Sequence, residues 1–293
     1  MATIIKNSQP RNIRRARPVR PARPVLVNRN NRGRYFLSLR SRHPSHRPLR
    51  RSVRVPVRTV LNLGSTTRPR EGYLVLNSEE AVRNSASKVR MKNCFARNNV
   101  STANYIHSAD INEVRDWVRN NLPVVSKSEF GSRGRGNKKH NTIEEFNAWV
   151  QNKNLRNYIF ENYKNFNREY RLHVTPLGCF YSCRKMIRRE TPENQRWFRN
   201  DNNCVWILPE NPQFERPVNW HEIEQGCVQA LLAVGLDVGA CDVRVQSAVD
   251  AEGNRRQRCD FAIIEINSAP SFGQITLEKY REMLPELVNH KLQ

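Results

Sequence analysis

Gly235-Leu-Asp-Val-Gly-Ala-Cys-Asp-Val-Arg-Val245 and Phe261-Ala-Ile-Ile-Glu-Ile-Asn-Ser-Ala-Pro-Ser-Phe-Gly273, separated by a polar stretch, decide how this chain is read. Each begins as an apolar, strand-forming run, and the polar turn between them centres on Gly253-Asn254. Side chains alternate faces along a strand. Cys241, Val243 and Val245 therefore share one face and Asp242 the other. In the second strand Ile264 and Ile266 are expected on one face, Glu265 and Asn267 on the opposite one. A hairpin symmetric about Gly253-Asn254 pairs Asp242 with Glu265. Directly opposed residues have Cβ atoms roughly 5 Å apart. Two carboxylates at that spacing repel unless a cation bridges them. With the amide oxygen of Asn267 one pleat on, the donor set suits Mg²⁺, which keeps several waters and shares nucleotide phosphates. The plainer alternative is the solvated face of an amphipathic hairpin. The apolar neighbours of Glu265 and the Pro/Gly-bounded loop after Asn267 argue against it.

Working outward, Leu122-Pro-Val-Val-Ser-Lys127 is a strand ending in lysine, followed by Gly131, Ser132, Gly134 and Gly136. Glycines let backbone amides approach phosphate oxygens, and Lys127 adds a point charge. The order is not that of the GxxxxGK[ST] loop, because the lysine comes first. A mobile basic hairpin is the competing reading. Arg168-Glu-Tyr-Arg-Leu-His-Val174 then turns at Pro176 and Gly178 and returns through Tyr181-Ser-Cys-Arg-Lys185. Glu169, Arg171 and His173 share a strand face, and Arg184 and Lys185 lie on the return. Cations converging beside a phosphate stabilise transferred charge. His173 is a further candidate in this group.

Elsewhere the patterning alternates helix and strand. Asn77-Ser-Glu-Glu80 reads as a capping box opening a helix to about Arg97. Asp110, Thr142 and Asn219 open three more. A last helix follows Thr276, with Pro285 expected to kink or end its first half. Strand-like runs cluster late in the chain with few helices between them. That predicts an α+β fold with antiparallel sheets.

The order of these motifs resembles the ATP-grasp superfamily. The likeness is to short ATP-grasp proteins encoded by tailed bacteriophages and, more distantly, to ribosomal-protein glutamate ligases. It covers residues 61 to 293, and its most specific part is Asp242 followed by Glu265-Ile-Asn267 and Ala-Pro. The resemblance implies two α+β subdomains with antiparallel sheets clamping ATP. It implies Mg²⁺ held by Asp242, Glu265 and Asn267. Lys88 and Lys127, with the loop carrying Gly131, Ser132, Gly134 and Gly136, would bind phosphates. Ile159-Phe-Glu-Asn-Tyr163, with Glu161 and Tyr163, would hold adenine and ribose. The Glu169-Tyr-Arg171 segment would contribute Glu169 to the nucleotide site. Arg171, with Lys185, would neutralise charge on the moving phosphoryl group. The implied reaction is ATP-dependent carboxylate–amine ligation through an acyl-phosphate, with unassigned carboxylate and amine substrates such as a peptide or protein. The Rossmann-like domain that precedes the grasp fold in larger members is missing or reduced to about Val60–Gly64. Two other readings compete: a basic nucleic-acid-binding or virion-associated protein whose grasp fold is degenerate, and phosphoryl transfer to a non-carboxylate acceptor.

The N-terminal portion stands apart. Of 50 Lys and Arg in the 293-residue chain, 19 precede the first carboxylate, Glu71. The rest holds 31 basic and 27 acidic residues and is nearly balanced. Residues 1–60 are Arg/Pro-rich and predict a disordered basic tail when alone. A polyanion-binding arm for nucleic acid fits its charge; a solvated tail and an organelle transit peptide are the alternatives. No run approaches the roughly 18 apolar residues of a membrane span. Seven scattered cysteines, an odd number, favour reduced thiols in a cytoplasmic setting. Cys179 and Cys183 lack a second pair at zinc-ribbon spacing.

Overall fold

The computed structural model describes residues 58–66, 71–131, 134, 136–200 and 202–293, and, as backbone alone, 23–29, 35–44 and 54–57. A four-stranded sheet opens the chain: β1 (Arg23–Arg29), β2 (Tyr35–Pro44) and β3 (Arg54–Asn62) run antiparallel, and β4 (Tyr73–Leu76) pairs parallel with β3. β1, β2 and most of β3 lie in the segment expected to be disordered when alone. Each has a ladder partner, and the series ends on β4. The domain border expected at residue 60 falls inside β3. The remainder of 1–60 lies outside the described residues, and so do the side chains on which polyanion binding would depend.

The helix expected from residue 77 to 97 is two helices, α1 (Glu79–Ala86) and α2 (Lys88–Arg97). Ser78 caps the first, in place of Asn77, whose backbone is left-handed at φ 60°. Ser87 is extended, caps α2 through Arg90 N–H, and so makes Lys88 the first residue of a new helix. Asn77 instead ties three elements together. Its side chain donates to the carbonyls of Asn62 and Val238 and accepts from the N–H groups of Asp237 and Val238.

The second sheet joins β5 (Tyr105–Ile106), β6 (Val124–Ser128), β7 (Lys138–His140) and β8 (Tyr158–Asn162) in the order β5-β8-β6-β7, all antiparallel. Helices α3 (Ile111–Asn121) and α4 (Ile143–Val150) carry the caps expected from sequence, Asp110 and Thr142. Their buried Val114, Val118, Phe146 and Val150 form one core with Val124 and Phe160.

The third sheet orders its strands β11-β10-β9-β12-β13, again all antiparallel. They are β9 (Arg168–Thr175), β10 (Gly178–Ile187), β11 (Cys204–Ile207), β12 (Gly239–Val245) and β13 (Phe261–Asn267). One face packs Tyr170, Leu172, Cys241, Val243, Val245 and Ile263 against α2 and α5 (Trp220–Val234). Each large side chain buried there contributes about 1.5–3 kcal/mol. Helix α6 (Gln274–Lys291) is continuous through Pro285. The proline ring costs about 3 kcal/mol in a helix interior; the fully buried Leu284, Leu287 and Val288 around it offset that. Gly64, at φ +66°, lets the loop after Asn267 close in, since a Cβ there would stand 2.9 Å from that of Ala269.

Candidate functional site

Asp242 and Glu265 are ladder partners, as the hairpin symmetry predicts. Nearer the turn the pairing is offset by one, Val243 with Ile263, so a β-bulge intervenes. The bulge overturns the expected pairing of faces in β13. Ile263 and Ile266 enter the core, whereas Ile264 lies with Glu265 on the open side.

That side faces a cleft between the second and third sheets. Lys88, Lys127, Gly131, Gly134, Glu161, Tyr163, Glu169, Lys185, Asp242 and Glu265 line it together. Arg171 and Asn267 stand one contact behind, through Asp242 and Glu265 respectively. Gly136, at φ 78°, turns the loop without lining the cleft, and Ser132 lies outside the described residues. Arg184 points away from Lys185 and pairs with Glu215. His173 is not in the cleft. It packs against Tyr280 of α6, with Nδ1 3.1 Å from the phenol oxygen. Burial, reinforced by Arg171, pushes its pKa down to about 3 and leaves it neutral.

The third-sheet wall is an ionic lattice. Arg171 grips both oxygens of Asp242, at 2.7 and 2.8 Å, and Lys185 Nζ reaches the same carboxylate at 2.7 Å. Lys185 also donates to Glu169 at 3.0 Å, and Arg244 reaches Glu169 at 3.3 Å. Burial alone would raise the Asp242 carboxyl; Arg171 and then Lys185 outweigh it and hold it well below the usual carboxylate range. Trp206 of β11 covers Arg171 and Lys185, its ring 5.0 and 5.6 Å from their charges.

The Glu161 side of the cleft is built on lysines, Lys127 from β6 and Lys88 and Lys92 from α2. Lys127 and Lys92 both pair with buried Glu161, at 2.8 and 3.4 Å. Burial pushes Lys92 down to about 8, and Glu161 offsets this only in part. Burial also lowers Lys88, against the opposing charge of Glu265. Lys88 Nζ donates to the Gly131 carbonyl at 2.9 Å, and Ser87 donates to Glu129 at 2.6 Å. The start of α2 thus holds the base of the glycine loop.

Six cationic and four acidic side chains line the cleft, with Arg171 and Lys92 adding charge behind it. This surplus suits a polyanion. Among the described residues, Glu265 is the one lining carboxylate without an ion pair, its hydrogen bond coming from the neutral Asn267 amide at 3.1 Å. Sequence reasoning missed Lys92, Arg244 and Arg199. Lys92 is one turn after Lys88 and Arg244 is two residues after Asp242, so periodicity held a signal for both. Arg199 lies in an irregular segment and gave none.

Neither a protein-family model nor a curated protein sequence matches the chain. By structure it is similar to the ATP-grasp ligase PsnB complexed with a minimal precursor, at 16% identity over 74% of this chain and 64% of that one, TM-score 0.51. It is also similar to carboxyaminoimidazole ribonucleotide synthase from Aspergillus clavatus complexed with ATP, at 14% identity over 74% and 55%, TM-score 0.52. D-alanine–D-alanine ligase from Bacillus anthracis matches at 13% identity over 73% and 69%, TM-score 0.51. The chain thus spans less than two thirds of the length of the first two. At these identities the likeness defines the fold alone: it is α+β and of the ATP-grasp type.

Proposed function

We propose that this chain is an ATP-dependent carboxylate–amine ligase that works through an acyl-phosphate, with Mg-ATP bound between the two subdomains. The observation that carries this reading is Glu265. It is an unpaired carboxylate in a cleft of surplus positive charge, on the same ladder rung as Asp242. A carboxylate without an ion-pair partner among the described residues is a seat for a cation. Glu265 and the amide oxygen of Asn267 are hard donors that fit Mg²⁺. Both Asp242 oxygens are engaged by Arg171 and Lys185. Within that pairing, Asp242 would be the third residue to hold the metal. When bound, the metal neutralises and orients the phosphates.

The chain's own groups do the rest. Lys88, Lys127 and the glycine-loop amides bind phosphate oxygens, and the Glu161–Tyr163 strand end receives the nucleoside. A substrate carboxylate oxygen attacks the γ-phosphorus and the bond to the ADP oxygen breaks. Arg171 and Lys185 balance the charge in transit. An amine nitrogen then attacks the acyl carbon, inorganic phosphate leaves, and the proton lost by the amine passes to it. PsnB was also solved with a precursor peptide, so a peptide carboxylate is the first acceptor to try.

The test is twofold. Mg-ATP should raise the melting temperature by several degrees, and turnover with an acceptor should yield an amide, ADP and phosphate. No response to Mg-ATP overturns the nucleotide reading. A phosphorylated acceptor in place of an amide overturns the ligase reading.

A further inference from the structure

The first sheet has one face settled by its contacts. Leu61 and Leu76 are buried in one core with Tyr280, Leu284 and Leu287 of α6, and Leu74 packs against it. Successive residues of a strand alternate between faces. Arg58 and Tyr73, at odd spacing from Leu61 and Leu76, therefore belong to the outer face. Arg58 is exposed, and its guanidinium stands 5.9 Å from the centre of the Tyr73 ring. Backbone register extends this face across the sheet. Tyr73 pairs with Arg58, Arg58 with Arg40, and Arg40 with Arg23. The bulge between Arg23 and Leu26 brings Arg23 onto this row. Arginines thus occupy one row on three neighbouring strands, spaced about 4.8 Å apart. Arg42, opposite Pro56, and Arg54, opposite Pro44, share the face further along.

Like charges directly opposite one another destabilise a sheet. A carboxylate on a neighbouring strand position would relieve the row, but residues 1–70 contain none. Among the described residues Arg58 has the Tyr73 ring beside it and no ion pair. A run of negative charge laid across the strands supplies what the row lacks. Of the 19 cationic residues before Glu71, 18 are arginine, Lys6 being the exception. The guanidinium fork takes phosphate or carboxylate through paired N–H bonds. The aromatic positions separate the two: Phe36, opposite Asn62, and Tyr73 fall on the same face as the arginines. Single-stranded nucleic acid is held by cationic surfaces interleaved with aromatic residues. An acidic peptide has no group that needs them.

We propose that the outer face of the first sheet binds single-stranded nucleic acid, with the Arg23–Arg40–Arg58 row meeting its phosphates and the Phe36 and Tyr73 positions meeting its bases. Neither Arg58 nor Tyr73 lines the cleft between the second and third sheets. The surface is therefore independent of the nucleotide reading above, and either can fail without the other.

The experiment is fluorescence anisotropy of a labelled single-stranded RNA of about 20 nucleotides with the full chain, between about 50 and 200 mM salt. Affinity should fall steeply as salt rises. Arg40→Gln/Arg58→Gln should bind about tenfold more weakly at the low end. It should also lower the slope of log K against log salt by about 1.4, at about 0.7 per lost contact. Its melting temperature should not fall, because the row sheds like charge. Arg58→Gln alone, at an exposed position, should show half the slope change and serves if the double variant does not fold. Arg14→Gln/Arg15→Gln removes equal charge outside the four strands and should cost less affinity. Equal losses in the two double variants overturn the assignment to this face. Displacement of the RNA by excess Mg-ATP at matched ionic strength places it in the cleft and overturns the proposal. A poly-glutamate of matched charge that binds as tightly makes the surface a protein dock and overturns it too. So does a wild type that binds no RNA at the low end.

Discussion

The two walls of the cleft solve the same electrostatic problem in different ways. The third-sheet wall fixes its carboxylates with Arg171, Lys185 and Arg244, in contacts set by strand register. The Glu161 side uses single-point lysines, Lys127 from β6 and Lys88 and Lys92 from α2, and one of them, Lys88, rests on a carbonyl of the glycine loop. Arginine forks are rigid and stay charged, whereas a buried lysine ammonium is a compact charge that loses its proton more readily. One wall is a fixed template and the other is adjustable. Glu265 stands between them and belongs to neither lattice.

The sharpest way to separate template from adjustable site is to neutralise each member of the Asp242–Glu265 rung. Glu265→Gln should reduce ligase or ATPase turnover by about three orders of magnitude, on the scale of removing one electrostatic contact to transferred charge, and leave the melting temperature nearly unchanged. Asp242→Asn should do the reverse in emphasis. It leaves Arg171 and Lys185 facing a neutral amide and should cost about 3–5 kcal/mol of stability, read from urea unfolding. Equal stability losses in the two variants would erase the distinction.

A smaller effect comes from pH. His173 titrates near 3 in the folded protein and near 6.5 when unfolded. Between those values the unfolded chain binds the extra proton. Stability therefore falls as pH drops below about 6.5, by roughly 3 kcal/mol near pH 4.5. His140, pushed by burial to about 4, acts in the same sense. Urea midpoints at pH 7.5 and 4.5, with His173→Phe as the control, measure it. A pH-independent midpoint would refute the buried neutral imidazole.

The smallest effect sharpens the contrast at the alkaline end. Lys92 titrates near 8 when folded and near 10.5 unfolded. The unfolded chain binds more protons between those values, so Lys92 should add stability as pH rises from 8 toward 10.5. Lys92→Met should flatten that rise. The arginine wall should add no such slope.

Much of this was legible before any coordinates. Strand alternation and turn position paired Asp242 with Glu265, and the helix caps at Asp110 and Thr142 stood where their side chains predicted. What escaped was non-periodic. Alternation assumes one residue per rung, so it misplaced Ile264 relative to Glu265. A capping box at Asn77 does not reveal that Ser87 breaks the helix and starts it again. His173 shares its strand face with Arg171, yet the tertiary position of α6 removed it from the cleft. Pro285 carried a breaking signal that the buried face of α6 overrode.

The bulge at Ile264 has one more consequence. A regular strand cannot offer two successive residues to one ligand, yet here a hydrocarbon and a carboxylate arrive side by side from positions 264 and 265. Position 264 is thereby a tuning site. Exchanging its side chain alters the polarity next to Glu265 while every partner of Asp242 stays in place.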